Sequence, residues 1–365
     1  MSLKENQYYP EVVTHPGFTL GQKLEELGMG PKEFAIRVDK PQKTISEILS
    51  GQSSITSEMA VKFEDVLKIP ASFWLKRQQD FDEAKARMER EEIVKNASSW
   101  ARLFPYAKMA AKGWVPKTRK VEEKVKALFS FFQVSTHEAW ERYYFEKALL
   151  VEFRISLAHA NKPYAVAAWL RQGELQAASI ETQEYDSKRL RASLPEIKKI
   201  MATQPEDFFN RLQKICANAG VKVVYTPCLP GAPIHGSTRW LGNTPLIQLS
   251  ARYKTNDKFW FTFFHEVGHI LLHGKKFISI ENVSYDGWDS AKEKEADDFA
   301  VAWTFTQEEE EEVLSQVPLS PEDIMKYARE FGTHPAMIIG RLQHKKLLPY
   351  YKGREFIEAI ELEEG

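Results

Sequence analysis

The chain has 365 residues, of which 43% are apolar and 12% aromatic, and its 50 Lys plus Arg against 51 Asp plus Glu leave a net charge of -1. That length suggests about two to three domains, the apolar fraction excludes wholesale disorder, and the charge balance excludes a global positive field, so any contact with DNA has to come from a local patch. Two cysteines, Cys216 and Cys228, cannot build a disulfide framework, which fits a reducing, cytoplasmic setting. The first residues, MSLKENQYYP, lack the apolar core of a signal peptide. The most apolar run, Phe259 to Leu272, is too short to span a bilayer and contains His265, Glu266 and His269. No membrane association is expected.

From Pro16 to Ile69 the pattern predicts four short amphipathic helices separated by turn signals. Phe18, Leu20, Leu24 and Leu27 mark the first helix. Pro31 to Val38 is the second, with Pro31 suited to a first turn. Lys43 to Leu49 is the third, stopped by Gly51, and Ser57 to Leu67 the fourth, with Ser57 as N-cap. Phe73 to about Lys95 reads as one long polar helix. Helical patterns with aromatic anchors (Phe129, Trp140, Tyr144, Trp169) fill Val121 to about Arg191, and Pro195 opens a further helical stretch running to Gly220.

The pattern then changes. Val221 to Tyr225 is a short β-branched strand, Pro227 to Gly236 a Pro/Gly-rich loop and Pro245 to Leu249 a second strand. An apolar helix from Phe259 to His273 is stopped by Gly274, and Glu293 to Thr304 forms another. The glutamate run Glu308 to Glu312 reads as a solvated helix start, with helices at Pro321 to Phe331 and Pro335 to His344 beyond it. The expected fold is mostly α, in three parts: an N-terminal domain of short helices (15–75), a helical connector and middle region (76–205), and a small α+β domain (206–350).

His265-Glu266-Val267-Gly268-His269 carries the strongest chemical signal. Residues i and i+4 share a helix face, so both imidazoles can reach one ion. Glu266, next to the first histidine, can act as general base on water at that ion. Two histidines and a glutamate on a helix apolar almost all round need partners, and Zn2+ would satisfy all three. A third ligand should come from a later helix: Glu293 and Asp297 are i and i+4, which suits a ligand carboxylate plus a carboxylate that orients a ligand imidazole. Glu295, about 200° round the helix from Glu293, is the rival ligand. Three protein ligands leave a position open, as catalytic zinc sites do.

The stretch Phe261 to His273, the following Glu293 to Ala300 and the upstream Pro245 to Ser250 together resemble the ImmA/IrrE family of zinc metallopeptidases, over about Phe208 to Leu314. The resemblance implies a gluzincin-like site, with His265, His269 and Glu293 as ligands and Glu266 as general base, and cleavage of repressor proteins in the cytoplasm. It departs at Ala302 to Thr306, where the family usually reads Leu-Leu-Met-Pro. His235, Tyr253, His273 and Arg341 are candidates for stabilising the oxyanion. Cys228 could place a thiolate near the metal.

Gln22 to Ile69 has helix-turn-helix proportions, with Asp39 to Pro41 as the turn and Gln42 to Leu49 as the recognition helix. Gln42, Lys43, Thr44 and Ser46 suit base edges and phosphates. His15-Pro16-Gly17, the string Lys43 to Gly51 and Ile69 to Trp74 resemble the XRE-type domain, most closely its HigA-type antitoxin form. Asp39 stands where that family has a turn glycine, Lys40 where it has a buried valine and Pro41 where it has a capping serine. The combined expectation is a homodimeric transcriptional regulator that binds a DNA operator and hydrolyses a peptide bond in a partner regulator or in itself. The alternative is a non-catalytic repressor or antitoxin whose zinc domain is a sensor or structural element.

Overall fold

The computed structural model describes residues 14–146, 162–230, 232, 234–250, 255–276, 279–280, 289–316, 318–360 and 362. Helices dominate. They run α1 (Pro16–Glu26), α2 (Pro31–Arg37), α3 (Gln42–Leu49), α4 (Ser57–Leu67), α5 (Ala71–Asn96), α6 (Ser98–Ala101), α7 (Tyr106–Ala111), α8 (Val121–Phe132), α9 (His137–Glu141), α10 (Pro163–Ala178), α11 (Ser187–Thr203) and α12 (Phe208–Asn218). Strands β1 (Lys222–Tyr225), β2 (Gly236–Leu241) and β3 (Thr244–Leu249) follow, then α13 (Asn256–Gly268), a π-helical turn over His269–His273, β4 (Ser279–Ile280), α14 (Ser290–Thr304), α15 (Gln307–Leu314), α16 (Pro321–Phe331) and α17 (Pro335–His344). The chain divides into two compact units, Met1–Asn96 and Ala97–Gly365. No helix among the described residues is long and apolar enough to cross a membrane.

In the first unit the apolar stripes of the helices close on Leu20, Leu24, Phe34, Ile45, Ile48, Phe63 and Trp74, all buried. The turn between α2 and α3 uses Asp39 at φ 49°, the left-handed conformation for which glycine is the usual residue. Lys62 holds that turn, its Nζ donating to the Asp39 carbonyl at 3.3 Å and carboxylate at 3.4 Å. Lys40 lies over Glu58 at 2.9 Å instead of packing as an apolar residue. The N-cap of α4 is Thr56 rather than Ser57: its hydroxyl accepts from the Met59 N–H at 3.3 Å.

The second unit is built on a small sheet of order β1-β3-β2-β4, parallel between β1 and β3 and antiparallel elsewhere. Strand β2 lies outside the two strands expected from the sequence. Its centre is Arg239, a charged residue only 1% exposed, which hides the strand from an apolar alternation. The guanidinium donates to Glu174 at 2.9 Å, to the Leu170 carbonyl at 2.5 Å and to Gln248 at 2.7 Å. Leu170 and Glu174 sit on α10, so part of the middle region covers the sheet. Trp169 donates its indole N–H to the Thr226 carbonyl at 2.8 Å and accepts from Gln248 at 2.7 Å on its own carbonyl.

Three helix boundaries differ from expectation. Pro195 lies inside α11, which starts at the Asp186 cap, where the carboxylate accepts from the N–H groups of Lys188 and Arg189. The stretch to Gly220 is broken between Thr203 and Phe208, where Gln204 adopts φ 37°. Helix α13 is α-helical only to Gly268 and then widens into the π-turn, a feature often found at functional sites.

Candidate functional site

α13 is fixed by burial on nearly every side: Phe259, Trp260, Phe263, Phe264 and Val267 are all in the core. Against it packs α14, and Gly268 sets how closely. A Cβ at that position would stand 3.2 Å from both the Ala296 Cα and the Phe299 Cβ. The close approach brings the Glu293–Asp297 face of α14 onto the histidine face of α13.

The Nε2 atoms of His265 and His269 are 3.0 Å apart, and Glu293 Oε2 lies 3.3 Å from the first and 3.6 Å from the second. Among the described residues this is the one group of three or more His, Cys, Asp or Glu side chains placed to hold a metal ion, with its ligand atoms within 4.8 Å of one another. His265 is 4% and His269 1% exposed. Burial brings His269 down to about 4, against the raising influence of Glu293, and keeps it neutral at physiological pH. For Glu293 burial pushes upward, but the two imidazoles beside it outweigh that and leave the carboxyl at about 2. Neutral imidazoles and an ionised carboxylate are the states in which these groups ligate zinc, so the donor set fits that metal.

Asp297 takes the other ring nitrogen of His265, with Oδ1 2.9 Å from Nδ1. Glu295 lies away from the cluster, 2.9 Å from His273 Nε2, and His273 Nδ1 is 3.0 Å from His269 Nδ1. Glu266 is fully buried, and the start of β2 is shaped to it. A Cβ on Gly236 would stand 2.6 Å from Glu266 Oε1 and 2.6 Å from Thr262 Cγ2. Thr238 also donates to the Glu266 carbonyl at 3.1 Å.

The oxyanion candidates part company. His235 immediately precedes Gly236 and its carbonyl accepts from the Ser250 N–H at 2.9 Å. Arg341 is engaged elsewhere, donating to Glu310 at 2.9 Å, and Tyr253 lies outside the described residues. The Cys228 thiol lies 3.6 Å from the Ile234 carbonyl. The glutamate run is only partly solvated: Thr306 and Glu309 form a capping box at the start of α15, and Glu310 is 3% exposed beneath Arg341 and Lys345. On α3, Gln42, Lys43 and Ser46 are exposed and Thr44 is half-buried, while Ile45 and Ile48 face the core.

His273, Gly236 and Gly268 were absent from the ligand and second-partner set read from the sequence. The repeated four-residue spacing of His265, His269 and His273 was the available signal for the first. Gly236 and Gly268 act through contacts between separate elements and leave no local pattern.

Residues 216–342 match the IrrE N-terminal-like domain of the peptidase M78 family, and residues 20–74 match the helix-turn-helix family. Virulence-associated protein A of Dichelobacter nodosus is 41% identical over 69 residues, 18% of this chain and 68% of that protein. The uncharacterized HTH-type transcriptional regulator YddM of Escherichia coli (strain K12) is 32% identical over 71 residues, 20% of this chain and 76% of its own length. Among solved structures, an addiction module antidote protein of a HigA family from Coxiella burnetii is 26% identical over 23% of this chain and 92% of its own, with a TM-score of 0.22. The chain therefore belongs to the helix-turn-helix regulators through its N-terminal residues and carries, joined to that module, a peptidase M78 domain of the IrrE N-terminal-like type.

Proposed function

We propose that the protein is a cytoplasmic DNA-binding regulator whose C-terminal domain is a zinc metalloendopeptidase, acting on a partner regulator or on the chain itself. The observation that carries this reading is the convergence of His265, His269 and Glu293 beside a fully buried Glu266. These three side chains would hold the metal, which when bound would supply Lewis-acid polarisation and lower the pKa of a water nucleophile toward neutrality. Glu266 takes the proton of the attacking water and delivers it to the leaving amine nitrogen. Gly236 keeps the Glu266 carboxylate in place by leaving it room. Asp297 accepts from His265 Nδ1–H and so directs the Nε2 lone pair into the cluster.

The DNA-binding half of the reading rests on the helix-turn-helix match and on the exposed face of α3. Gln42, Lys43, Thr44 and Ser46 are the residues proposed to reach base edges and phosphates, in a homodimer on a two-fold operator.

Glu266→Gln tests the catalytic half. The variant is expected to keep its zinc, measured by elemental analysis, and to lose hydrolysis of a quenched fluorescent peptide library and any self-cleavage visible on a gel. Hydrolysis at the wild-type rate by the variant would defeat the peptidase reading.

A further inference from the structure

Behind the proposed metal ligands, the two histidines are held in different ways. His265 Nδ1 meets the Asp297 carboxylate directly at 2.9 Å. His269 Nδ1 meets another imidazole, His273 Nδ1, at 3.0 Å, and His273 Nε2 meets Glu295 Oε2 at 2.9 Å. The His273 side chain is 4% exposed and that of Glu295 61%, so the chain runs from the buried cluster to the surface.

The direction of the hydrogen bonds follows from elementary bookkeeping. An ionised carboxylate only accepts, so His273 Nε2 carries the hydrogen that Glu295 receives. A neutral His273 then has a bare Nδ1, which can only accept, so His269 donates from Nδ1–H. That leaves the His269 Nε2 lone pair facing His265 Nε2 and Glu293. The same logic applied to Asp297 leaves the His265 Nε2 lone pair there too. The π-turn over His269–His273 supports the arrangement by widening the helix where the two rings must meet, at a centroid separation of 5.1 Å.

The geometry points to His273 and Glu295 as a positioning relay that fixes His269 in its metal-ligating tautomer and orientation. This inference rests on the proposed metal site and assigns Glu295 a task other than ligation. An imidazole interposed between ligand and carboxylate reaches where no acidic residue does: the α14 face toward His269 is already occupied by Glu293.

The test uses the full-length chain and zinc itself as the probe, with affinity read by chelator competition for wild type, His273→Ala, His273→Gln and Glu295→Ala. His273→Ala is expected to weaken zinc binding by about 10–100-fold, the usual effect of removing a hydrogen-bond partner of a ligand histidine. Glu295→Ala should weaken it less, in the same direction. His273→Gln should recover part of the loss, because its amide oxygen can accept from His269 Nδ1–H, a rescue that a merely space-filling role would not require. Long-range 1H–15N spectra of the metal-free chain add a readout independent of the metal: the Nδ1–H tautomer of His269 should dominate in wild type, persist in part in His273→Gln and give way to a mixture in Glu295→Ala. If His273→Ala does not fold, the other two variants carry the test, Glu295 being at the surface. Wild-type affinity and an unchanged His269 tautomer across the folded variants would overturn the relay. Absence of zinc binding by the wild type would instead overturn the metal site beneath it, and the relay with it.

Discussion

Gly236 and Glu266 are in such close approach that any side chain at Gly236 would collide with the carboxylate, the added Cβ standing 2.6 Å from Oε1. The contact links the first residue of β2 to the proposed general base. Gly236→Ala is therefore expected to leave zinc content intact and displace Glu266. A displacement approaching 1 Å costs on the order of a hundredfold in rate, read as kcat on a fluorescent peptide. Unchanged kcat would show that Glu266 has slack that the geometry denies it.

Asp297 acts on the metal through His265. Asp297→Ala should weaken zinc binding by about 10–100-fold, and Asp297→Asn should fall between, since its amide oxygen can still accept from Nδ1–H. Both can be followed by chelator competition. Equal affinity in all three proteins would remove Asp297 from the account.

Glu310 links α15 to α17 through Arg341 at 2.9 Å and Lys345 at 2.5 Å. Burial raises its carboxyl, but the two cations outweigh that and hold it below the ordinary range. The folded state therefore binds this proton less readily than the unfolded chain. The stability it contributes is fully present above the unfolded carboxyl's pKa and is lost as pH falls through the depressed folded value. Glu310→Gln should lower stability by about 2 kcal/mol at neutral pH, the scale of a charged hydrogen bond. The deficit should shrink below about pH 4.5, where the carboxyl of the unfolded chain begins to bind the proton that the folded one still refuses. Melting curves across pH 3 to 7 check it, and a deficit that stays constant with pH would exclude this origin.

Much of the first unit was legible because its helices carry their own signals: apolar stripes, Pro31 at a first turn, Gly51 after α3. The cluster was legible because i, i+4 spacing on a buried helix leaves polar groups that demand a partner. What was not legible depends on distant elements. β2 centres on Arg239, whose charge is tolerated only because Glu174 of α10 meets it. Asp39 adopts a glycine-like φ because Lys62, on another helix, holds its turn. Pro195, whose ring suits a helix start, lies in a helix interior, the Asp186 cap lying further upstream. The middle region carries no motif that assigns it a role, and only the structure shows that Trp169 and Leu170 of α10 bond directly to the sheet of the second unit.

The exposed face of α3 gives a separate expectation for DNA. The Lys43 side chain is 86% exposed and lies only loosely beside Glu47, at 3.7 Å. Lys43→Ala should weaken binding to random-sequence duplexes uniformly and lower the slope of log affinity against log salt by about 1. Fluorescence anisotropy over a salt series measures both. An unchanged slope would place the phosphate contacts elsewhere.

The central claim is that His265, His269 and Glu293 form a catalytic-type zinc site. Elemental analysis of the purified full-length chain, saturated with zinc and freed of excess, tests it most directly when wild type is compared with His269→Ala. The account requires about one zinc per wild-type chain and little in the variant. A wild-type chain without zinc, or a variant that retains as much as wild type, would contradict it.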